Sequence, residues 1–286
     1  MARKKTLTIL HADRLRRFPW LVHGFSTRLG GNSRPYGGHA LNLGFTAQDS
    51  RAAVRRNRAA FLKKLDPGSG KWTLVTSRQI HSDLIHCVSE PPREELVGDG
   101  LITNVRGLLL GIQTAECLPV ILVDSRNRAV GVFHAGWRGT IRRIVQKGVA
   151  DMTRWLGSEP RDILAAIGPG VHACCYEVGR ELEENFASQF AYSARLFREV
   201  EESDRVREKY PLLFLTARAP GHGELPRKLF LDLVEANRRQ LMAAGVAAKN
   251  IHFSTKCTSC ETGLLFSYRA EKGITGRMLA VAGVRD

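Results

Sequence analysis

Short apolar runs separated by turn residues dominate the middle of the chain. Trp72 to Thr76, Leu84 to Val88, Leu108 to Gln113, Val120 to Asp124 and Ala129 to His134 each have the length and bounding residues of a strand. The period then changes. From Arg138 to Leu156, residues Ile141, Ile144, Val145, Val149, Met152 and Trp155 share one helical face, and Arg142, Arg143 and Lys147 share the other. Gly157 stands where a helix C-cap belongs and Pro160 blocks continuation. Ile163 to Ile167 reads as a buried strand closed by Gly168-Pro169-Gly170. Val178 to Phe190 and Leu225 to Ala244 read as helices, and Ile251 to Thr255 and Met278 to Val284 as strands. Residues 195–224 mix charge clusters with Pro and Gly and show no firm period. With no internal repeat, low-complexity linker or break in composition, the pattern predicts one α+β domain with mixed strands.

Composition narrows the function classes. An apolar fraction of 43% over 286 residues supports a packed core and excludes general disorder. Lys and Arg number 43 against 28 acidic residues, a formal charge of +15. Such a surplus favours anionic partners, either nucleic acid or small phosphate-bearing substrates, and it also serves solubility. The basic residues are scattered in clusters such as Arg14 to Arg17, Arg51 to Arg58 and Arg142-Arg143, without an aromatic-interleaved stripe, so specific nucleic-acid binding ranks below an enzyme. The apolar run Leu7 to Leu10 is too short for a signal core, and no stretch has the roughly 18 uncharged residues of a membrane helix. Six cysteines, two of them adjacent at Cys174-Cys175, fit reduced thiols in a cytoplasmic protein better than a disulfide framework.

The candidate chemistry lies at strand ends. The run to Phe133 ends at His134, and Ala135-Gly136-Trp137-Arg138-Gly139 follows as a turn into a helix, where backbone N–H groups and an arginine can hold an anion. His81 and Cys117 sit at the edges of their own short apolar segments. Catalytic zinc takes three ligands from His, Cys, Asp or Glu and leaves a fourth position open, and His81, Cys117 and His134 offer such a set. Their wide separation is unlike the paired spacing of a zinc finger, and on the pattern alone a small buried cysteine and two satisfied histidines are the favoured reading. Cys257-Thr258-Ser259-Cys260 has no second pair at zinc-ribbon spacing and reads as two thiols; His172 and His222 lie in loops without a constellation.

Further motifs run the length of the chain in order: His23-Gly24-Phe25-Ser26-Thr27-Arg28-Leu29-Gly30-Gly31, Leu41-Asn42-Leu43-Gly44, Asn57-Arg58, Gln79-Ile80-His81-Ser82 and Asp99-Gly100-Leu101-Ile102-Thr103. Cys117-Leu118-Pro119-Val120, His134 to Thr140, Gly168-Pro169, Cys175 to Gly179, Cys257-Thr258, Phe266 to Arg269 and Gly276-Arg277 continue the series. Together they resemble the purine nucleoside phosphorylase family long named polyphenol oxidase or multicopper laccase. The resemblance extends from about residue 21 to the C-terminus, with residues 1–20 as a lead-in and residues 21–286 as a single catalytic domain.

That resemblance implies an α-β-β-α fold shared with bacterial cytotoxic necrotising factor catalytic domains, and a zinc ion held by His81, Cys117 and His134. It also implies phosphorolysis of adenosine, inosine, guanosine and methylthioadenosine, and deamination of adenosine. One residue departs from the pattern: Glu116 stands where the family has Asp before the cysteine. Arg28 and Arg138 are the candidates for phosphate, each in or after a Gly-containing turn, and Asn42 for ribose or base. Asp83 and Glu116 are candidates for carboxylates that orient the histidines, whereas Asp99, before Gly100, reads as turn chemistry. Trp137 and Tyr268 could stack a purine. Three rivals stand beside this reading. A copper polyphenol oxidase lacks a methionine near the ligands in sequence. A cysteine hydrolase with Cys117 as nucleophile and His134 as base leaves His81 without a task. A basic nucleic-acid-binding protein has the charge but not the aromatic platforms.

Overall fold

The computed structural model describes residues 6–68, 72–201 and 227–285. His222 and most of the aperiodic 195–224 stretch therefore lie outside the described residues. The chain clusters into two compact units, Met1–His172 with Leu233–Asp286, and Ala173–Asp232.

In the larger unit the chain runs through β1 (Ile9–Leu10), β2 (Leu21–Ser26), β3 (Leu29–Ser33), α1 (Arg51–Leu65), β4 (Thr73–Thr76), β5 (Ile85–Cys87) and β6 (Gly100–Thr103). It continues through β7 (Leu108–Thr114), β8 (Leu118–Asp124), β9 (Ala129–Ala135), α2 (Trp137–Ile141), α3 (Ile144–Leu156) and β10 (Ile163–Ile167). The smaller unit holds β11 (Glu177–Val178), α4 (Arg180–Ala187), β12 (Phe197–Glu201) and β13 (Arg227–Leu231), with β13 at the centre of a three-stranded antiparallel sheet. The larger unit is completed by α5 (Leu233–Ala243), β14 (Ile251–Phe253) and β15 (Met278–Val284).

Two mixed sheets carry the larger unit, one in the order β1-β2-β15-β7-β4 and one in the order β14-β10-β8-β9-β6-β5. Leu110, Ile112, Ala280 and Ala282 of the first sheet share one core with Ile121, Val123, Val130, Val132 and Leu164 of the second. The outer face of the first sheet packs Leu109, Leu279 and Val281 against Phe61 of α1. On the outer side of the second sheet, α3 lies over β9 and β6. The layers are thus helix, sheet, sheet, helix, as the resemblance implied. Every residue of β8, β9 and β15 is buried, as expected for strands covered on both faces.

The Phe133 ring sets the spacing between β9 and α3. A Cβ on Gly148 of α3 would lie 2.5 Å from that ring, one on Gly131 2.7 Å, and one on Gly100 2.9 Å. Three glycines therefore make room for one fully buried phenyl group.

The strands follow the hydrophobic pattern to within a few residues, and three expectations need correction. The helix expected from Arg138 to Leu156 is broken at Arg142-Arg143, where Arg143 is left-handed with φ 64°. Thr140 is held by α5 at that break, its hydroxyl accepting from Asn237 Nδ2 and its carbonyl from Gln240 Nε2. The helix expected from Val178 begins only at Arg180, after the two-residue strand β11. That expected from Leu225 starts at Leu233, because Arg227–Leu231 pairs with β12 and β11. The lead-in also contributes structure, since Ile9 and Leu10 pair with Ser26 and Phe25 of β2.

At that N-terminal edge, His23 is buried on β2 and its Nε2 accepts the Ala12 N–H (3.2 Å), while His11 Nδ1 donates to the His23 carbonyl (2.9 Å). Burial, reinforced by the neighbouring His11, lowers the His23 pKa to about 4.

Two outcomes follow. Gly148→Ala gains up to about 1 kcal/mol of helix propensity but overpacks Phe133 at a cost of roughly 1–3 kcal/mol; a lowered melting temperature is expected, and unchanged melting would refute the close packing. Between pH 6.5 and about 4 the unfolded chain binds a proton at His23 that the folded chain does not. Stability therefore falls as pH falls through that window, by on the order of 3 kcal/mol. Urea midpoints of wild type and His23→Gln at pH 7 and 5 should show the smaller loss in the variant.

Candidate metal centre

The β8–β9 hairpin builds the first half of the site. Its register sets Pro119 opposite His134 and Leu118 opposite Ala135, so Cys117, one step before β8, lies across from Gly136. A Cβ on Gly136 would stand 2.7 Å from Cys117 Sγ and 3.5 Å from His81 Cδ2. Gly136 has φ −75°, which any residue adopts, so the need for glycine here is space and not backbone conformation. His81 arrives from the loop between β4 and β5 with φ 57°, a left-handed backbone unusual for a side-chain-bearing residue. Ligand atoms of His81, Cys117 and His134 all lie within 4.8 Å of one another. The two imidazoles meet edge to face, with centroids 4.9 Å apart.

Asp99, immediately before β6, holds this geometry. Its fully buried carboxylate accepts the N–H groups of Ile80 (3.1 Å), His81 (3.1 Å) and Ser82 (2.7 Å) and the Ser82 hydroxyl (2.8 Å). It also accepts His134 Nδ1 at 2.8 Å. Three successive amides wrapped around one anion explain the left-handed turn at His81. The bond to Nδ1 leaves Nε2 of His134 for the thiol or a metal. Burial would raise the Asp99 pKa, but the hydrogen bonds from His134 and Ser82 outweigh it and hold the group at about 2.

Burial likewise would raise the Cys117 thiol, yet the His134 charge and the hydrogen bonds from His134 and His81 bring it down to about 6. Burial would lower His134, and the Cys117 charge with the Asp99 hydrogen bond reverses this, raising it to about 9. Each group thus favours the charged form of the other, the thiolate and the imidazolium. A thiolate is the form that ligates metal, and two imidazoles with one thiolate leave a fourth tetrahedral position open. The donor set fits a catalytic metal.

The carboxylates expected to orient the histidines do other work. Asp83 pairs with Lys147. Glu116 accepts the Arg269 N–H (2.6 Å) and Nε (3.1 Å), while Tyr268 N–H donates to the Ala115 carbonyl (2.8 Å). The residue that does orient a ligand, Asp99, has the sequence signature of a turn. Its one distinguishing sign is an acid inserted between Gly98 and Gly100 at the mouth of an apolar strand.

Of the three substrate-contact candidates, two are committed to the fold. Arg28 Nη1 donates to the Thr262 (2.6 Å) and Leu265 (3.4 Å) carbonyls, and Nη2 to the Tyr36 carbonyl (3.1 Å) and Glu271 (3.0 Å). Asn42 is fully buried: Nδ2 donates to the Gly44 carbonyl (3.0 Å) and Asp49 (2.8 Å), and Oδ1 accepts the N–H groups of Gly44 (3.1 Å) and Arg277 (2.8 Å). Arg138 is exposed, its guanidinium 4.4 Å above the Trp137 ring. It stands in a five-residue helix, so the long helix expected to reinforce anion binding there is absent.

The chain is similar to known proteins over nearly all of its length. Residues 22–285 match the family described as multi-copper polyphenol oxidoreductase laccase. A purine nucleoside phosphorylase, YlmD, of Geobacillus stearothermophilus is 35% identical over 94% of this chain and 92% of that protein. Adenosine deaminase RL5, from an unknown prokaryotic organism, is 37% identical over 68% of this chain and 69% of its own length. The crystal structure of a hypothetical Bacillus licheniformis protein, YfiH, superimposes with a TM-score of 0.81 at 31% identity, covering 99% of this chain and 98% of that one.

Replacing Asp99 with Asn should weaken metal affinity about 10–100-fold, the usual consequence of losing a carboxylate behind a histidine ligand. Competition with a chromophoric chelator measures this, with circular dichroism to verify the fold. Equal affinity in the two proteins would remove Asp99 from the centre.

Proposed function

The chain belongs to the family described as multi-copper polyphenol oxidoreductase laccase, and on that premise we propose that it is a zinc-dependent purine nucleoside phosphorylase that also deaminates adenosine. The single observation that carries the reading is the convergence of His81, Cys117 and His134 with Asp99 behind His134. Relatives named purine nucleoside phosphorylase and adenosine deaminase support the substrate class. Copper ranks below zinc, because a three-member group lacks the many histidines of a multicopper centre.

Zinc bound by the trio would supply Lewis acidity at its open position. In phosphorolysis a phosphate oxygen bonds to ribose C1′ as the bond to the purine breaks with its electron pair on the base. In deamination water adds at purine C6 and ammonia leaves. The chain's part in both is to fix the trio, to orient the nucleoside and to hold phosphate. Asp99 keeps Nε2 of His134 directed at the ligand group. Trp137, three residues after His134, and Tyr268, an exposed ring whose N–H donates to the Ala115 carbonyl, offer aromatic faces to a purine. Arg138, free of carboxylates among the described residues, is kept as an anion contact at the rim. Arg28 and Asn42 are assigned to holding the surrounding loops and not to substrate contact.

No described helix is long and apolar enough to cross a membrane. A cytoplasmic location is part of the same reading, with purine nucleosides and phosphate as partners.

A second reading has one observation behind it: Cys117, His134 and Asp99 also form a nucleophile–base–carboxylate chain suited to a cysteine hydrolase. Metal dependence separates the two. Zinc-loaded protein with adenosine should release adenine and ribose 1-phosphate only when phosphate is present, and inosine without it. His81→Ala and chelation should abolish both products. Turnover that survives chelation but is lost on alkylation of Cys117 would favour the hydrolase. No turnover of adenosine, inosine or methylthioadenosine would remove the assigned activity.

A further inference from the structure

Gly44 and Phe45 follow the buried turn at Asn42, and three arginines without an acidic partner among the described residues converge on them. A Cβ on Gly44 would lie 2.6 Å from Arg277 Cγ and 2.5 Å from Gln113 Oε1, so the Arg277 stem and the Gln113 carboxamide meet over this glycine. The Phe45 ring, 43% exposed, lies under the guanidinium carbons of Arg51 and Arg58 at 4.6 and 4.7 Å. Arg58 Nε donates to the Leu43 carbonyl (2.8 Å), and burial lowers its pKa.

Arg277 is fixed at both ends. Its N–H donates to Asn42 Oδ1 (2.8 Å) and its carbonyl accepts the Leu43 N–H (2.9 Å). Its Nη1 donates to the carbonyls of Thr275 (3.0 Å) and Gly276 (3.1 Å), which leaves Nε and Nη2 open. The Gln113 side-chain amide has no hydrogen-bond partner among the described residues, while its backbone is clamped by Gln79, whose Nε2 donates to the Gln113 carbonyl (2.8 Å) and whose Oε1 accepts its N–H (2.7 Å). The nearby acids are committed elsewhere: Glu271 to Arg28, Ser267 N–H and Thr275 Oγ1, and Glu116 to Arg269.

This group lies at the metal end of the first sheet. Met278 is paired with Thr114, so one further step sets Arg277 across from Ala115, two residues before Cys117. The Gln79 clamp ties Gln113 to the loop that carries His81. A half-buried, donor-rich cluster held by backbone bonds, with its neighbouring acids hydrogen-bonded elsewhere, is suited to a tetrahedral oxyanion.

We propose that Arg277 and Gln113, with Arg58 beside them, form the subsite for the inorganic phosphate that attacks the nucleoside. The inference rests on the phosphorylase reading and adds its phosphate-binding residues. The phosphate oxygens accept from Nε and Nη2 of Arg277 and from Nε2 of Gln113, and the subsite itself makes and breaks no covalent bond.

The test is phosphate saturation of nucleoside phosphorolysis by the zinc-loaded full chain, wild type against Arg277→Gln, together with phosphorus NMR titration of each protein with inorganic phosphate. Arg277→Gln retains part of the stem that packs on Gly44. Losing a charged hydrogen-bonding partner should raise the KM for phosphate roughly 10-fold or more, with the KM for the nucleoside changed less than about 2-fold. Gln113→Leu, which removes the amide and retains bulk, should raise the phosphate KM in the same direction. An unchanged phosphate KM in both variants overturns the subsite while the phosphorylase reading stands. If wild type catalyses no phosphorolysis, that reading fails and the titration decides the subsite alone: saturable phosphate binding lost in Arg277→Gln supports it, and absent binding overturns it. Binding of adenosine 5′-monophosphate without binding of inorganic phosphate also overturns the assignment.

Discussion

A single buried carboxylate organises the site. Asp99 gathers five donors, namely three successive backbone amides, one hydroxyl and one imidazole, and thereby joins β6, the His81 loop and the end of β9. An unpaired buried charge costs several kcal/mol, and the structure tolerates this one because every approach to it ends in an N–H or O–H donor. The same contacts make the His81 backbone left-handed and select which His134 nitrogen faces Cys117. The backbone at His81 and the orientation of the His134 ring therefore depend on one fully buried residue.

Strand registry supplies the rest. Alternation along β9 turns Val130, Val132 and His134 toward one face, and Gly131 and Phe133 toward the other. The Phe133 ring, enclosed by Gly100, Gly131 and Gly148, fixes that alternation, because a slip by one residue would drive a phenyl group into the inter-sheet core and the imidazole under α3. Gly136 then leaves Cys117 Sγ the space that any side chain would fill. Packing on the helix side of the sheet thus determines chemistry at its end.

The trio was legible only in part: His134 ends an apolar run and Cys117 precedes one, and strand ends are where a sheet presents side chains to a common edge, whereas His81 stands in a loop. The helix α1 was not legible, although Val54, Phe61 and Leu65 have helical spacing. Its inward stripe is interrupted by Asn57, a buried amide that donates to Ser33 Oγ (2.9 Å) and the Asn42 carbonyl (2.8 Å) and accepts the Asn32 N–H (2.7 Å). Asp99 escaped notice for a similar reason: a buried acid and a turn acid look alike until the donors around it, drawn from residues far apart in the chain, are assembled. Arg28 misled in the opposite direction. An arginine beside a Gly-containing turn suggests an anion site, but its partners are carbonyls of Tyr36, Thr262 and Leu265 and the carboxylate of Glu271. Tertiary pairing, not local sequence, decides whether an arginine is available.

That distinction gives the net positive charge a local meaning. Around the site the acids are matched: Asp99 to His134, Glu116 to Arg269 and Glu271 to Arg28. Glu116 accepts both the backbone N–H and the Nε of Arg269, which fastens the loop carrying Tyr268 to the turn carrying Cys117. Arg277, Arg51 and Arg58 near Gly44-Phe45, and Arg138 after His134, have no acidic partner among the described residues. A nucleic-acid groove spreads unpaired charge along a stripe to meet many phosphates. An arginine fixed by backbone bonds, as Arg277 is, matches instead the demands of binding a single small oxyanion beside a neutral nucleoside.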